Sequence, residues 1–313
     1  MVGQVLSRTK EPVFLMNPPL TLETNIPNNR TMSLLSDEER KIDFNRAMDQ
    51  WLTLYRSLSN NALVYLLPSS KQLQDLTFVS NIGVILNHLE NPVAIVSNFR
   101  AEGRQGESAV GNSFFSELGY EVHMPGSYFE GEADFKHLSD NVYFGGYGLR
   151  SSKESHQWMI DQFQVEVISI KLDDPHLFHL DCAMFVLDEE TVLLCTSICD
   201  KETIRSIEKH CRIIDVPIDL AYRGATNSVR CGSTILTESR VENLKKGDQY
   251  FEVEKKKRAF MEKIAGEKEL ELSLFDLNEF HKSGAMLSCL VMPIHLNNHN
   301  NFLSKPHFRK AIQ

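Results

Sequence analysis

The arrangement of apolar segments repeats five times along the sequence, and this repeat limits the possible folds more than any other feature. Each unit reads as a short apolar strand, a turn, a second strand, a helix and a third strand, and the units recur at intervals of roughly 40–50 residues. The five predicted helices are 37–59, 106–118, 152–163, 201–210 and 249–264.

The last apolar segment of the chain can complete the first unit of the repeat. The first unit begins at strand 13–16 and lacks one strand, which the apolar segment 285–294 can supply. The pattern therefore predicts an α/β fold of five strand–strand–helix–strand units in a closed ring. An ordinary mixed α/β domain is the alternative, because periodicity alone does not separate the two. No low-complexity linker divides the chain, so 12–296 is predicted to be one domain, with tails at 1–11 and 297–313.

Composition and charge exclude several classes of protein. The 313 residues include 33 Lys and Arg against 42 Asp and Glu, which gives a net charge of −9. Such an acidic chain is unsuited to nucleic acid, whose phosphates require clustered basic residues. No apolar run approaches the ~18 residues of a membrane span, and the first ten residues contain no secretory signal. The six cysteines are too sparse for a disulfide scaffold, so we expect a reducing, cytoplasmic location.

Two segments contain side chains that are suited to covalent and acid–base chemistry. Cys289 lies where a Gly-containing loop meets an apolar strand, and it would be a nucleophile if its thiolate were stabilised. A buried structural cysteine is the alternative. His179 and Asp181 are two residues apart at the start of a predicted strand, so their side chains should lie on the same face. This pair would suit a general acid/base, or it is a hydrogen-bonded surface pair.

Other polar residues near predicted strands suggest a site for a charged ligand. Glu130 belongs to a group of three acids within 130–134, which is either a solvated turn or a pocket for a cation. Asn81 interrupts the predicted strand 77–86. Arg100 and Arg150 follow strand-like segments, where a guanidinium can bind a carboxylate, although each also fits an ordinary surface position.

A metal site is a weaker interpretation. The possible ligands have spacings that are not typical of zinc sites, and no nucleotide-binding or zinc-protease motif is present. These possible ligands are Cys195, Cys199, His210 and Cys211. We therefore predict no metal site.

Taken in order, these segments resemble the guanidine-modifying (pentein) superfamily, and most closely its branch with arginine dihydrolases, dimethylargininases and amidinotransferases. The similar segments are FLMNPP at 14–19, NNRTM at 28–32, FVSNIG at 78–83, FRAEGRQGE at 99–107, FEGEAD at 129–134, GYGLR at 146–150, HLD at 179–181 and SGAMLSCLVMP at 283–293. The resemblance implies a five-bladed α/β propeller. It also implies a small guanidino compound as the partner and no cofactor.

The resemblance assigns a role to each matching residue. It implies that Cys289 attacks the guanidinium carbon and that His179 protonates the leaving amine and then activates water. The residues implied to bind the substrate are Glu130, Asp181 and Asn81 at the guanidinium, Arg100 and Arg150 at the α-carboxylate, and Asn29 in the substrate loop. The sequence departs from the family at Ala285, where a second glycine is common, and at 24–29, where Glu23 is the nearest acid for an α-amino group.

The implied activity is hydrolysis of guanidino C–N bonds in arginine or a close relative, through an amidino-thioether on Cys289. Asn81 stands where deiminases of the family have a carboxylate, which favours a dihydrolase that releases ornithine, carbon dioxide and ammonia. The alternative is an amidinotransferase that passes the amidino group to an amine. A binding protein without catalysis is a third possibility, as in a ribosome-binding factor that shares the fold but lacks the catalytic set.

Overall fold

The computed structural model of the chain describes residues 12–86, 88–89 and 93–294. Within these residues it has fifteen β-strands. In chain order they are β1 Val13–Met16, β2 Leu63–Leu66, β3 Gly83–Leu86, β4 Val93–Val96, β5 Glu121–His123, β6 Phe135–Ser139, β7 Val142–Gly148, β8 Glu166–Leu172, β9 Met184–Asp188, β10 Thr191–Leu194, β11 Arg212–Asp215, β12 Val229–Cys231, β13 Thr234–Glu238, β14 Glu271–Phe275 and β15 Met292–Pro293. The predicted tails lie outside the described residues.

The described strands form five three-stranded sheets of one design. Their orders are β15-β1-β2, β3-β4-β5, β6-β7-β8, β9-β10-β11 and β12-β13-β14. In every sheet the middle strand is antiparallel to the first strand and parallel to the third. A parallel connection needs a long crossover, and in each sheet a helix provides it. The fivefold repeat of an α/β unit is thus confirmed.

The end of the chain completes the first sheet, as the sequence predicts. β15 pairs antiparallel with β1, with Phe14 opposite Pro293 and Leu15 opposite Met292. The strand is much shorter than the apolar segment 285–294, because Ser288–Leu290 form a 3₁₀ turn before it. The segment therefore contributes both a strand and the turn that contains Cys289.

Helices connect the second and third strands of each sheet. The described helices are α1 Arg30–Leu34, α2 Phe44–Ser59, α3 Glu107–Leu118, α4 Lys153–Phe163, α5 Lys201–Glu208, α6 Ile218–Ala221, α7 Phe251–Glu267 and α8 Asn278–His281. Helix α2 begins later than the predicted residue 37 because the Asp43 side chain caps it, accepting a hydrogen bond from the Arg46 N–H at 3.1 Å. Its buried face, with Trp51, Leu54 and Leu58, packs on the core. No helix in the described part of the chain has the length and apolar character needed to cross a membrane.

Short 3₁₀ turns precede the first strands of four sheets. They contain three of the eight predicted site residues, Asn81, Asp181 and Cys289, and two more, Glu130 and His179, directly precede a turn. Besides Ser288–Leu290, the turns are Val79–Asn81, Gly131–Ala133 and Leu180–Cys182. Two of these turns pack backbone to backbone. Gly131 has a φ of +69°, and a Cβ there would lie 2.7 Å from the Ser80 carbonyl oxygen, so only glycine fits.

Two sequence-based assignments are wrong because of these turns. Asn81 does not lie in a strand, and neither do His179 and Asp181, since Leu180–Cys182 form a 3₁₀ turn that His179 precedes. The alternation of side chains along a strand therefore does not apply to His179 and Asp181, and each has its own partners.

Candidate active site

Two of the 3₁₀ turns contribute Asn81 and Cys289 to a small cavity of about 30 Å³. The residues that line it come from distant parts of the chain, and most are polar. They are Asn28, Asn29, Asp75, Phe78, Asn81, Arg104, Arg150, Phe178, His179, Ser283, Gly284, Ala285 and Cys289. Five of the eight predicted site residues line the cavity. Glu130 and Asp181 bond directly to residues that line it, and the side chain of Arg100 lies outside.

Cys289 is buried beside a carboxylate. Its Sγ lies 3.7 Å from Oδ2 of Asp181 and 3.7 Å from Nδ2 of Asn227. Burial raises the pKa of the Cys289 thiol well above its ordinary value, and the charge of Asp181 raises it further. A positive charge beside the thiol is therefore needed to favour the thiolate.

The turn that contains Cys289 is held by its neighbours. The Ser288 hydroxyl donates a hydrogen bond to Asp181 at 2.7 Å, and the Ser288 N–H donates to Oδ1 of Asn227 at 2.8 Å. Asn227 is fully buried and immediately precedes the fifth sheet, between Thr226 and Ser228. Its amide thus contacts both Ser288 and the thiol, a role that nothing in its local sequence indicates.

The carboxylate beside His179 belongs to Glu130 and not to Asp181. The Nε2 of His179 donates to Oε2 of Glu130 at 2.7 Å, whereas Asp181 bonds to Ser288. The same Glu130 oxygen lies 3.2 Å from a guanidinium nitrogen of Arg150. Burial opposes ionisation of Glu130, but the charge of Arg150 and the hydrogen bond from His179 outweigh it and hold the pKa at about 2. Glu130 is therefore an ionised carboxylate in a water-poor site.

Asn81 is held between a buried cation and the His179–Glu130 pair. Its Oδ1 accepts a hydrogen bond from Arg104 at 3.0 Å, and its Nδ2 lies 3.3 Å from Nε2 of His179 and 3.4 Å from the Glu130 carbonyl oxygen. Arg104 forms a two-pronged ion pair with Glu107 at 2.9 and 2.7 Å. The sequence motif at 99–107 contains both residues. Oppositely charged residues three positions apart usually form a surface ion pair on a helix, so the sequence does not indicate that this pair is buried.

Two charged residues of opposite sign that line the cavity both contact Asn28. Arg150 donates to the Asn28 carbonyl oxygen at 2.7 Å, and its guanidinium lies over the Phe178 ring at 5.0 Å. Asp75, which sequence analysis missed, accepts from the Asn28 amide at 2.5 Å. Burial raises the pKa of Asp75 above its ordinary value, against the charge of Arg104. Glu23, the acid that the sequence suggested near this loop, is exposed and bonds to Asn25.

Arg100 contacts the site through its backbone. Its N–H donates to Oε1 of Glu130 at 3.3 Å, while its side chain donates to the Arg150 carbonyl oxygen at 3.0 Å and lies over the Tyr128 ring. Its binding role remains a prediction.

Asn29 connects the start of α1 to the loop that precedes Cys289. Its side chain caps α1 through the Met32 N–H at 3.0 Å and donates to the Ser283 carbonyl oxygen at 2.9 Å. Gly284 has a φ of +74°, and a Cβ there would lie 2.7 Å from Oδ1 of Asn29, so this approach requires glycine.

The arrangement favours a cationic, planar ligand next to a thiol. Glu130 and Asp181 supply two buried carboxylates beside His179 and Cys289, and a cation would offset the cost of their burial. The chemistry suited to such a site is nucleophilic attack by sulfur with proton transfer through imidazole. No grouping of three or more metal-ligating side chains occurs in the part of the chain that the structure describes.

Comparison with known proteins identifies relatives over nearly the whole chain. The bifunctional arginine dihydrolase/ornithine cyclodeaminase AgrE of Nostoc is 30% identical over 293 residues, which cover 90% of this chain and 37% of that protein. The N(G),N(G)-dimethylarginine dimethylaminohydrolase of Mycobacterium tuberculosis is 29% identical over 180 residues, 57% of each chain. The chain therefore spans little more than a third of the length of AgrE.

Solved structures agree with this relationship. The product-bound N-terminal domain of ArgZ, a cyanobacterial arginine dihydrolase, matches with a TM-score of 0.79 and 25% identity over 91% of this chain and 98% of that one. The dimethylarginine dimethylaminohydrolase (DDAH) of Pseudomonas aeruginosa shares the fold, with a TM-score of 0.67 and 16% identity over 91% of this chain and 99% of that one. The family model described as N,N dimethylarginine dimethylhydrolase, eukaryotic, matches residues 18–296. This chain belongs to that family, within the pentein superfamily of guanidine-modifying proteins.

Proposed function

We propose that the chain is a hydrolase that cleaves guanidino C–N bonds of arginine or a close relative through a covalent intermediate on Cys289. The observation that carries the proposal is the convergence of the thiol with two carboxylates and an imidazole at one cavity. Asp181 lies 3.7 Å from Sγ, and Glu130 lies 2.7 Å from His179. The AgrE, ArgZ and dimethylaminohydrolase relatives support hydrolysis of a guanidino group.

Substrate binding would exchange partners within the site. The guanidinium pairs with Glu130 and Asp181, because ionised carboxylates form strong hydrogen bonds with its N–H groups. It displaces Arg150, which now lies 3.2 Å from Glu130, and Arg150 then binds the α-carboxylate of the substrate. Asp75, on the same side of the cavity, receives the α-amino group. Arg100 contributes to the carboxylate site from its position against Arg150.

The first chemical step forms a C–S bond and breaks a C–N bond. The substrate cation lowers the pKa of the Cys289 thiol, the thiol gives its proton to His179, and the thiolate attacks the guanidinium carbon. The electron pair of the broken C–N bond leaves with the amine, and His179 supplies its proton. His179 then takes a proton from water, which attacks the amidino-thioether. The C–S bond breaks, its electron pair returns to sulfur, and His179 gives the proton taken from water to Cys289.

A second round would act on the ureido group. A carboxamide such as Asn81 has no charge and holds a neutral ureido group better than a carboxylate would. We therefore propose that arginine is carried through to ornithine, carbon dioxide and two ammonia molecules. Water, not an amine, is the acceptor in this proposal, since the compared relatives are hydrolases.

We infer that the five sheets form a closed five-bladed propeller around a central axis. A cavity of about 170 Å³ supports this inference, because the first strands of all five sheets line it. The lining residues include Val84, Phe135, Phe185, Val229 and Pro293. We propose 12–296 as the single catalytic domain, and a cytoplasmic location agrees with six free thiols.

A panel of guanidino compounds tests the function. The purified chain is incubated with arginine, methylated arginines, agmatine and citrulline, and mass spectrometry identifies the products. We expect ornithine and two ammonia per arginine, and no reaction with Cys289→Ser. Failure to consume any guanidino compound would contradict the proposal. New guanidino products on adding glycine or lysine would favour the amidinotransferase.

A further inference from the structure

We propose that Asp134 is a positioning residue that sets the hydrogen bond between His179 and Glu130. The inference rests on the proposed function, in which His179 moves protons and Glu130 binds the guanidinium. Asp134 is 1% exposed and directly follows the turn Gly131–Ala133. Its carboxylate bonds to groups that adjoin His179 and Glu130, so Asp134 acts on the reaction through them.

The two oxygens of the Asp134 carboxylate hold the two members of this pair separately. Oδ1 accepts a hydrogen bond from the N–H of Leu180, the residue after His179, at 3.0 Å. Oδ2 accepts from the Ser151 hydroxyl at 2.6 Å. The Ser151 oxygen in turn accepts from the Glu130 N–H at 2.9 Å. One carboxylate therefore fixes the backbone at both ends of the His179–Glu130 hydrogen bond.

These hydrogen bonds run in one direction, which a carboxylate completes. The Ser151 hydroxyl already accepts from the Glu130 N–H, and it donates its single proton to Asp134. The Leu180 N–H is a donor as well, so Asp134 has to accept at both of its oxygens. The amide in Asp134→Asn has nearly the same shape but only one acceptor, so it would break one of the two hydrogen bonds.

The neighbouring strand leaves room for this contact. Gly146 in β7 donates its N–H to the Asp134 carbonyl oxygen at 2.8 Å. A Cβ on Gly146 would lie 3.2 Å from Oδ1 of Asp134 and 2.9 Å from Cβ of Leu180. A side chain at this position would press on both partners of the Asp134–Leu180 hydrogen bond, and glycine lets them meet.

Asp134 also places a negative charge near His179. Burial raises the pKa of Asp134 to about 6, against the charge of His179 and the hydrogen bond from Ser151. Asp134 is therefore largely ionised at neutral pH. In the proposed reaction His179 becomes a cation when it takes the proton of the Cys289 thiol, and the charge of Asp134 attracts that cation. The position and the charge of Asp134 thus support the same step.

The first test observes the hydrogen bond without substrate. In protein with isotope-labelled histidine, the Nε2 proton of His179 should give a downfield NMR signal, which is assigned by its absence in His179→Gln. We expect Asp134→Asn and Ser151→Ala to shift this signal or to lose it through exchange with water. Ser155→Ala is the matched control, because Ser155 is fully buried and donates a hydrogen bond of 2.7 Å to the Ser152 carbonyl oxygen.

The second test measures turnover of arginine. We expect kcat to fall about ten-fold in Asp134→Asn and in Ser151→Ala, roughly the effect of one hydrogen bond, and to fall more than KM rises. Both variants interrupt the same series of hydrogen bonds, so the double variant should be no slower than the slower single variant. Ser155→Ala should keep its kcat.

An unchanged His179 signal in the folded Asp134→Asn variant would overturn the inference. If that variant does not fold, Ser151→Ala decides by the same signal. An equal change of the signal in Ser155→Ala would also overturn it, because the loss of any buried hydrogen bond would then be enough. Absence of turnover in the unmodified chain would instead contradict the proposed function, and the expected NMR changes would still support the role of Asp134.

Discussion

The Nε2 of His179 donates a hydrogen bond to Glu130 at 2.7 Å, although 49 residues separate them in the sequence. Both side chains are buried, and the same Glu130 oxygen also lies 3.2 Å from Arg150. This contact replaces the His179–Asp181 pair that the sequence suggests. Asp181 lies against Cys289 instead, so one carboxylate contacts the imidazole and the other contacts the thiol.

The pH dependence of stability should reflect this pair. The pKa of Glu130 is about 2 in the folded protein, against an ordinary value of 4.5. A carboxyl group whose pKa is lowered on folding adds stability above its unfolded pKa, and the contribution is lost as the pH falls from 4.5 towards 2. The difference in unfolding free energy between the unmodified chain and Glu130→Gln should therefore shrink over this window. Urea unfolding at several pH values measures it, and a constant difference would contradict the ionised state of Glu130.

Replacing Cys289 should stop the reaction without unfolding the protein. Cys289→Ser has a far weaker nucleophile, and we expect turnover below detection with an unchanged thermal unfolding curve. Because burial and Asp181 raise the pKa of this thiol, iodoacetamide should react slowly at neutral pH. A cationic haloacetamidine should label Cys289 faster than the other five cysteines. Partly exposed Cys199 is the control, and equal labelling of both would show that the thiol is not activated.

Arg150→Ala should weaken binding of substrates that have an α-carboxylate. The loss of a charge-assisted hydrogen bond costs about 1.5–3 kcal/mol, which corresponds to roughly 10–100-fold in KM for arginine. Agmatine, which has no carboxylate, should be affected much less. Arg100→Ala is measured with the same two substrates as a comparison, because the Arg100 side chain bonds to the Arg150 carbonyl oxygen. Equal losses for arginine and agmatine would mean that Arg150 acts through Glu130 alone.

Asn227→Ala should disturb the turn that holds the thiol. The variant leaves the buried Ser288 N–H without its acceptor, which costs about 1–3 kcal/mol of stability. We expect kcat to fall more than KM rises, because the turn positions Cys289 and not the substrate. Ser283→Ala is the stability control, since that hydroxyl has no hydrogen-bond partner among the described residues. Unchanged stability and kcat in Asn227→Ala would exclude the positioning role.

Asn81→Asp should shift the products from ornithine towards citrulline. A carboxylate pairs with the guanidinium but holds a neutral ureido group poorly, so citrulline would leave before a second attack. Quantifying citrulline, ornithine and ammonia in one reaction tests this. Stoichiometric citrulline from the unmodified chain would contradict the dihydrolase proposal.

Local patterns were enough to predict much of this protein. The five strand–strand–helix–strand units and the pairing of the last strand with Val13–Met16 follow from hydropathy. The motifs also single out the segments of Cys289, His179 and Glu130, which the structure brings together at one cavity. These features depend on neighbours in the sequence, because apolar periodicity decides which segments become strands and helices.

The partners of the site residues depended on the tertiary structure. His179 pairs with Glu130, Arg104 donates a hydrogen bond to Asn81, and Asp75 rather than the exposed Glu23 lines the cavity. Each of these contacts crosses from one sheet to another or from a turn to a helix. The 3₁₀ turns set the direction of the side chains, and the close packing of one turn on the next sets their distances. The spacing of residues along the chain determines neither the directions of these side chains nor the distances between them. The pairing of the charged groups is therefore decided by the tertiary structure.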